Sequence, residues 1–324
     1  MVLTAPFLAV FDFFAMSTAG LGAPALAVFS TAYAATLMTG GVLGDRFGIR
    51  RVFTLAAAGY LLACAICACA PVPAVLLGGR ALQGLAAAAL VPQAFALTAG
   101  GGAYTRLTAT LGAASVTGQL LALALPWRAL FAVQILVAAT ALPSARHLPA
   151  TRHPGTRINP LTVLLPLALL LPLTRTSPLS LLPAAVAVPL WLTYRRRSPP
   201  VFAGPRAILA ASATGALYAG QAALLLVTGH QLVAIGYGAT FAAVSLLRRP
   251  AVQLTVAAPA LALLAYAGTP GLPLLLGGAA MGILLPLLTA KALNGAVPGA
   301  ASGRLATIQQ LAAAAAIWLT PTSA

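Results

Sequence analysis

Apolar runs of about twenty residues follow one another along nearly the whole chain, and its charged side chains fall almost entirely in the short breaks between them. A run of that length is what an α-helix needs to cross a hydrocarbon core of about 30 Å, since each residue advances it by about 1.5 Å. Soluble domains need polar faces for water, and a chain that is 61% hydrophobic and 6% charged cannot supply them. The sequence therefore predicts an all-α polytopic membrane protein with about 13 spans. The candidate runs of the first half are 3–19, 24–43, 51–70, 73–98, 105–125 and 127–142. A basic linker at 143–159 and a Pro-interrupted hydrophobic pair at 160–174 and 178–194 follow, then runs at 206–227, 230–247, 251–267, 272–293 and 304–320. This divides the chain into an N-terminal six-helix bundle (1–142), a linker with an inserted hairpin (143–205) and an incomplete C-terminal bundle (206–324). Three runs (160–174, 178–194 and 251–267) are short for a full crossing, so the hairpin is expected to dip into the bilayer rather than cross it cleanly.

Basic residues set the orientation, because positively charged loops stay on the cytoplasmic side. With the amino terminus inside, the even-numbered loops carry 15 of the 18 Lys and Arg residues, among them Arg46, Arg106, Arg146, Arg206, Arg248, Lys291 and Arg304. Arg128 and Arg175 fall in odd loops, and Arg80 lies inside a span. The net charge of +16 is thus topological; a nucleic-acid partner would need the charge gathered on one solvated surface. No basic leader with a cleavage site precedes the first run, so the amino terminus is expected to be a retained span. No cofactor or metal is expected: Cys64, Cys67 and Cys69 sit in one apolar run, and His147, His153 and His230 are scattered. Leu76 to Pro92 (LLGGRALQGLAAAALVP) can be laid beside Leu275 to Pro286 (LLGGAAMGILLP), an echo suited to a protein of two repeats.

The chain holds two carboxylates and no Glu. Asp12 lies in the first run and Asp45 in the segment Gly40 to Arg51 (GGVLGDRFGIRR), read as a tight charged turn between the second and third spans. Glycines at 40, 44 and 48 share a helical face and permit close approach of a neighbouring helix. Arg80 is a charge within a span, which normally faces a bundle interior and has a partner. Counting rise per residue puts Asp12 about 14 Å from one membrane face and Arg80 about 11 Å from the other, so both lie near the midplane. They are expected to face each other across a central cavity, with Gln83 one turn from Arg80 on the same face. Such a pair serves either as a proton-coupling site, where substrate arrival changes the protonation of Asp12, or as a fixed structural pair. Asp45 reads either as a cap on the third span or as part of a switch.

Several of these segments resemble the major facilitator superfamily. Its signature loop, G-x-L-x-D-R-x-G-R-R, is matched by Gly41, Leu43, Asp45, Arg46, Gly48, Arg50 and Arg51, with Gly44 and Val42 flanking the leucine. The run GRALQG at Gly79 to Gly84 is similar to the span-four motif of facilitator-type antiporters, FLAVFDFF around Asp12 to the first span of the fourteen-span drug/proton antiporter branch, and WRALF at Trp127 to its sixth. AASGRLATIQQLAAA from Ala300 resembles that branch's thirteenth span. The resemblance implies a two-bundle transporter of the bacterial inner membrane. It would exchange protons for small amphipathic or cationic compounds, with Asp12, Arg80 and Gln83 at the coupling site. The loop residues Gly41, Gly44, Asp45, Arg46, Gly48, Arg50 and Arg51 would form a conformational switch.

The departures are specific. Ser17 and Leu21 stand where that branch has Asn and Pro after Asp12. In span five Gly118 is followed by Gln119, and Ala122 and Leu123 replace the closing glycines of the antiporter motif. The second-half counterpart of the signature loop is reduced to Arg248-Arg249-Pro250, and no fourteenth span is found. These features support the alternative of a shortened, transporter-derived membrane protein without transport activity. An enzyme is not expected, since the chain has neither Glu nor a metalloprotease motif.

Overall fold

Proline and glycine punctuate the apolar runs and fix where each helix begins and ends. In the computed structural model, which describes residues 2–98, 103–149, 151, 202, 204–228, 231–245, 271–294 and 298–319, the described residues form ten helices and no strand. They are α1 (Thr4–Thr18), α2 (Ala23–Phe47), α3 (Ile49–Ala68), α4 (Pro73–Leu97), α5 (Ala103–Ala124), α6 (Trp127–Ala145), α7 (Pro205–Thr228), α8 (Gln231–Ser245), α9 (Gly271–Leu293) and α10 (Pro298–Leu319). Proline opens α4, α7 and α10 and lies in the first turn of α2, where its missing N–H costs no helical bond. Four of these helices, in α2, α3, α4 and α5, are long and apolar enough to cross a membrane, and α1, α6 and α9 contain shorter apolar stretches. The expected spans at 160–174, 178–194 and 251–267 lie outside the described residues, and the count of about 13 rests on them.

Two boundaries differ from expectation. The segment Gly40 to Arg51 is helical on both sides of a single break: α2 runs through Asp45 and Arg46 to Phe47, Gly48 turns the chain with a φ of 95°, and α3 starts at Ile49. Only glycine adopts that left-handed backbone without strain, so the whole connection shrinks to one residue. The last helix starts at Pro298, not near 304, which places Arg304 inside α10 rather than in a loop.

Helix packing repeats. α2 packs on α4, α1 on α5 and α1 on α4; correspondingly α8 packs on α9, α7 on α10 and α7 on α9. The contacts between the two sets obey the same correspondence, with α2 against α10 matched by α8 against α5, and α4 against α10 matched by α9 against α5. α3 and α6 close the first set, α3 against α4 and α6, and α6 against α3 and α1. The echoing segments Leu76 to Pro92 and Leu275 to Pro286 thus lie in the equivalent helices α4 and α9.

Small residues make these approaches possible, as expected where lipid offers no hydrophobic drive for helix pairing. A Cβ at Gly84 would meet the Phe29 carbonyl of α2, and one at Gly278 or Gly282 would meet the carbonyls of Tyr237 or Phe241 in α8. Pro92 denies the Ala88 carbonyl its helical donor, and that carbonyl lies where Gly40 of α2 has no side chain to obstruct it. Helix ends segregate by loop parity. Arg128 Nη2, in the first turn of α6, donates to Ala70 O, after α3, at 3.0 Å, while the end of α2 meets the start of α10 at the opposite end.

Candidate functional site

Five helices converge on Asp12, which is fully buried in α1. Arg80 Nη1 of α4 donates to both carboxylate oxygens, at 2.7 Å to Oδ1 and 2.8 Å to Oδ2. Gln83 Nε2, one turn further along α4, and Gln134 Nε2 of α6 each lie 3.1 Å from Oδ1. Gln83 Oε1 in turn accepts from Arg80 Nη1 at 2.6 Å, and Tyr60 of α3 donates its hydroxyl to Gln134 Oε1 at 2.6 Å. The Gln83 amide nitrogen also lies 2.8 Å from Gln134 Oε1 and 3.1 Å from the Tyr60 hydroxyl, so its two hydrogens serve more acceptors than they can satisfy at once.

The guanidinium is held from every side but one. Arg80 Nε donates to the Ala25 carbonyl of α2 at 3.3 Å, and the Phe29 ring lies 4.4 Å and the Phe131 ring 6.0 Å from the charged carbon. Nη2 has no hydrogen-bond partner among the described residues. Arg80, Gln83, Tyr60 and Gln134 are all fully buried, as is Asp12. Asp12, Arg80 and Gln83 therefore meet as the depth arithmetic requires, with one correction: they touch directly inside the first six helices instead of facing each other across a cavity. Asp12 and Arg80 cancel in charge. A buried pair of this kind is maintained only while both partners remain, because each alone is a bare charge in an apolar interior.

The second carboxylate closes a contact between the two sets of helices. Asp45, 1% exposed at the end of α2, accepts from the backbone N–H of Gly299 (3.0 Å) and of Ala300 (2.7 Å). These amides open α10, where helical N–H groups lack an internal partner and the helix dipole favours an anion. The expected cap on α3 is thus a cap on α10. Gly41 and Gly299 permit the approach: a Cβ at Gly41 would run into the Gly299 carbonyl, and one at Gly299 into the Asp45 carboxylate. Gly44 faces the Gln93 side chain of α4, whose Nε2 donates to Gly40 O at 2.8 Å, and Ser302 Oγ of α10 donates to Pro92 O at 2.9 Å. Arg46, Arg50 and Arg51 are exposed, with Arg46 over the Phe47 ring at 5.5 Å. The basic members of the loop thus stand apart from its buried glycines and carboxylate.

The family model described as Major Facilitator Superfamily matches residues 1–317. The chain belongs to the major facilitator superfamily.

Curated relatives of this superfamily member include the puromycin resistance protein pur8 of Streptomyces alboniger, 42% identical over 72 residues, or 22% of this chain and 14% of that protein. The methylenomycin A resistance protein of Bacillus subtilis is 30% identical over 121 residues, 34% of this chain and 26% of that one. The multidrug efflux pump LfrA of Mycolicibacterium smegmatis is 41% identical over 70 residues, 22% and 14% of the two chains. The matched stretches thus span about a quarter or less of these relatives' length. Among solved structures, the human organic anion transporter MFSD10 (TETRAN) superposes with a TM-score of 0.70 at 20% identity, over 98% of this chain and 91% of that one. The E. coli fucose:proton symporter FucP gives 0.64 at 12%, over 98% and 88%. At those identities the likeness is one of fold. With its apolar helices, this superfamily member is an integral membrane protein.

Sequence reasoning missed Gln134, Tyr60 and Phe29. Gln134 carried a signal, a single amide in the apolar run Val133-Gln134-Ile135. Tyr60 and Phe29 carried none, since aromatic residues fill many positions in such helices. Cys64, fully buried, sits at the edge of the network with Sγ 3.4 Å from Gln83 Nε2; no group of three metal-ligating side chains occurs among the described residues.

Proposed function

We propose that the chain is a proton-coupled secondary transporter that exports small amphipathic compounds across the cell membrane. It would have its amino terminus in the cytoplasm and two bundles, 1–142 and 206–324, joined by the basic linker and hairpin at 143–205. The observation that carries this reading is the sealed Asp12–Arg80 pair with its ring of Gln83, Gln134 and Tyr60. Asp12 is the chain's one carboxylate at that depth, the other being taken up in capping α10. A proton on Asp12 competes directly with Arg80 for the carboxylate, so taking up and releasing a proton resets the contact between α1 and α4. Superfamily membership and relatives named for drug and antibiotic resistance support export of a small molecule. The lattice of small-residue contacts between the bundles supports a rocking motion, since backbone surfaces without side chains separate and rejoin cleanly.

Purified protein in vesicles carrying an imposed proton gradient tests this. Adding a panel of amphipathic compounds is expected to release protons through the native chain, and the release is expected to fall to the level of protein-free vesicles with Asp12→Asn. Asn keeps the shape and most of the hydrogen bonds but cannot carry a proton. Undiminished movement with Asp12→Asn would remove Asp12 from the cycle. No movement with the native chain, while a control antiporter responds, would favour the non-transporting descendant suggested by the altered span-five motif.

A further inference from the structure

The second apolar cluster of the protein lies where the two sets of helices meet. Tyr237 and Phe241 of α8, Leu111 of α5 and Met281 and Leu285 of α9 form it, packed against Val10 of α1 and Leu217 and Tyr218 of α7. Tyr237 is 1% exposed, its ring centroid lies 6.2 Å from that of Phe241, and its hydroxyl has no hydrogen-bond partner among the described residues. A buried phenol without a partner is costly, and proteins retain one where something else supplies the acceptor. Among the described residues the rest of the cluster is aliphatic, aromatic or thioether apart from the Tyr218 hydroxyl, and none of it accepts from Tyr237. Val10 places this cluster two residues from Asp12 along α1.

Charge narrows what such a place accepts. A cation taken into an apolar interior needs a carboxylate to replace its water. The whole chain has two. Asp12 is neutralised by Arg80, and Asp45 is bonded to the start of α10. Arg80, conversely, retains an Nη2 group without a partner among the described residues, so both regions offer a hydrogen-bond donor, the guanidinium N–H in one and the Tyr237 hydroxyl in the other.

We propose that the compound carried is uncharged, apolar and equipped with a hydrogen-bond acceptor, that it docks at the Tyr237 cluster, and that the Tyr237 hydroxyl donates to that acceptor. This rests on the transport reading and narrows it: of the amphipathic or cationic compounds expected from sequence, it sets the cationic ones aside. Tyr237 acts as a specificity-determining donor, and the sealed Asp12–Arg80 pair does not itself hold the compound.

Nile red and Nile blue form a matched pair of probes: one ring system, bearing a carbonyl oxygen in the first and a cationic iminium in the second. Saturable fluorescence anisotropy is measured on the purified protein in nanodiscs, with empty nanodiscs subtracted. Nile red is expected to bind at least about tenfold more tightly than Nile blue, and Tyr237→Phe is expected to weaken Nile red about 3- to 10-fold, the loss of one hydrogen bond. That variant keeps the ring and removes a hydroxyl that bonds to none of the described residues, so its thermal stability is expected to match or exceed the native value. Equal or tighter binding of Nile blue overturns the proposal, and so does Nile red binding that is absent or unchanged in Tyr237→Phe. A cationic compound that binds saturably and drives Asp12-dependent proton release overturns this inference while leaving the transport reading intact. Nile red binding that depends on Tyr237, without proton movement for any compound, does the reverse.

Discussion

Arg80→Met is expected to destabilise the protein by about 3–5 kcal/mol, the cost of stranding one charge of a buried pair. In the native chain Arg80 Nη1 holds both Asp12 oxygens, and both residues are fully buried among helices of the first bundle. Methionine fills much of the same volume against Phe29 and Phe131 but leaves Asp12 with two amide donors and no countercharge. The second half of the prediction separates charge from packing. Asp12→Asn combined with Arg80→Met removes both charges and is expected to recover most of the loss, because a neutral amide is satisfied by Gln83 and Gln134. Thermal unfolding of the purified variants in detergent, run as a double-mutant cycle, measures this. If the double variant is as damaged as the sum of the singles, the pair is energetically uncoupled and the competition between proton and Arg80 has no basis.

Asp45→Ala is expected to open the contact between α2 and α10. Two charge-assisted bonds to Gly299 and Ala300 disappear together, each contributing about 1.5–3 kcal/mol. Water takes over part of that bonding in the open arrangement, and a net shift of about 1.4–2.8 kcal/mol moves an equilibrium between closed and open arrangements about 10- to 100-fold. Ser302, fully buried at this contact, provides the reporter. In a background with Cys64, Cys67 and Cys69 replaced, Ser302→Cys is expected to react slowly with a water-soluble maleimide, and about 10- to 100-fold faster once Asp45→Ala is added. Gly41→Val should act in the same direction, since its side chain would run into the Gly299 carbonyl. An unchanged labelling rate in both would mean that the contact is not what closes this end. Arg46→Gln, by contrast, alters an exposed side chain and should leave the rate near native.

The Asp12–Arg80–Gln83 site was legible because charge is scarce in this chain. With one carboxylate and one arginine inside spans, rise per residue alone brought them to one depth, and the i, i+3 spacing brought Gln83 with them. The packing repeat was legible for a similar reason, since paired glycines recur where α4 and α9 meet their neighbours. Uncharged polar residues gave no such guidance: Tyr60 and Gln134 have many ways to be satisfied, and only the assembled bundle selects one. Charge also misled where it marked helix ends as loop. Asp45 and Arg46 stay helical because Gly48 alone makes the turn, and Asp45 is buried because its partners lie 254 and 255 residues away, beyond any local pattern. Arg304 suggested a late start for α10, whereas Pro298, at the first helical position, marked the true one.

Under the proposed exchange, the solitude of Asp12 also limits how hard such a machine could pull. A cycle that turns on one carboxylate moves one proton, and one elementary charge falling through 100 mV releases about 2.3 kcal/mol. A tenfold concentration ratio requires about 1.4 kcal/mol. For an uncharged cargo, then, the proposed one-for-one exchange would hold at most about a fiftyfold gradient for each 100 mV of proton driving force. That is a low fixed gear, suited to keeping a membrane-permeable compound dilute rather than to concentrating one to high levels.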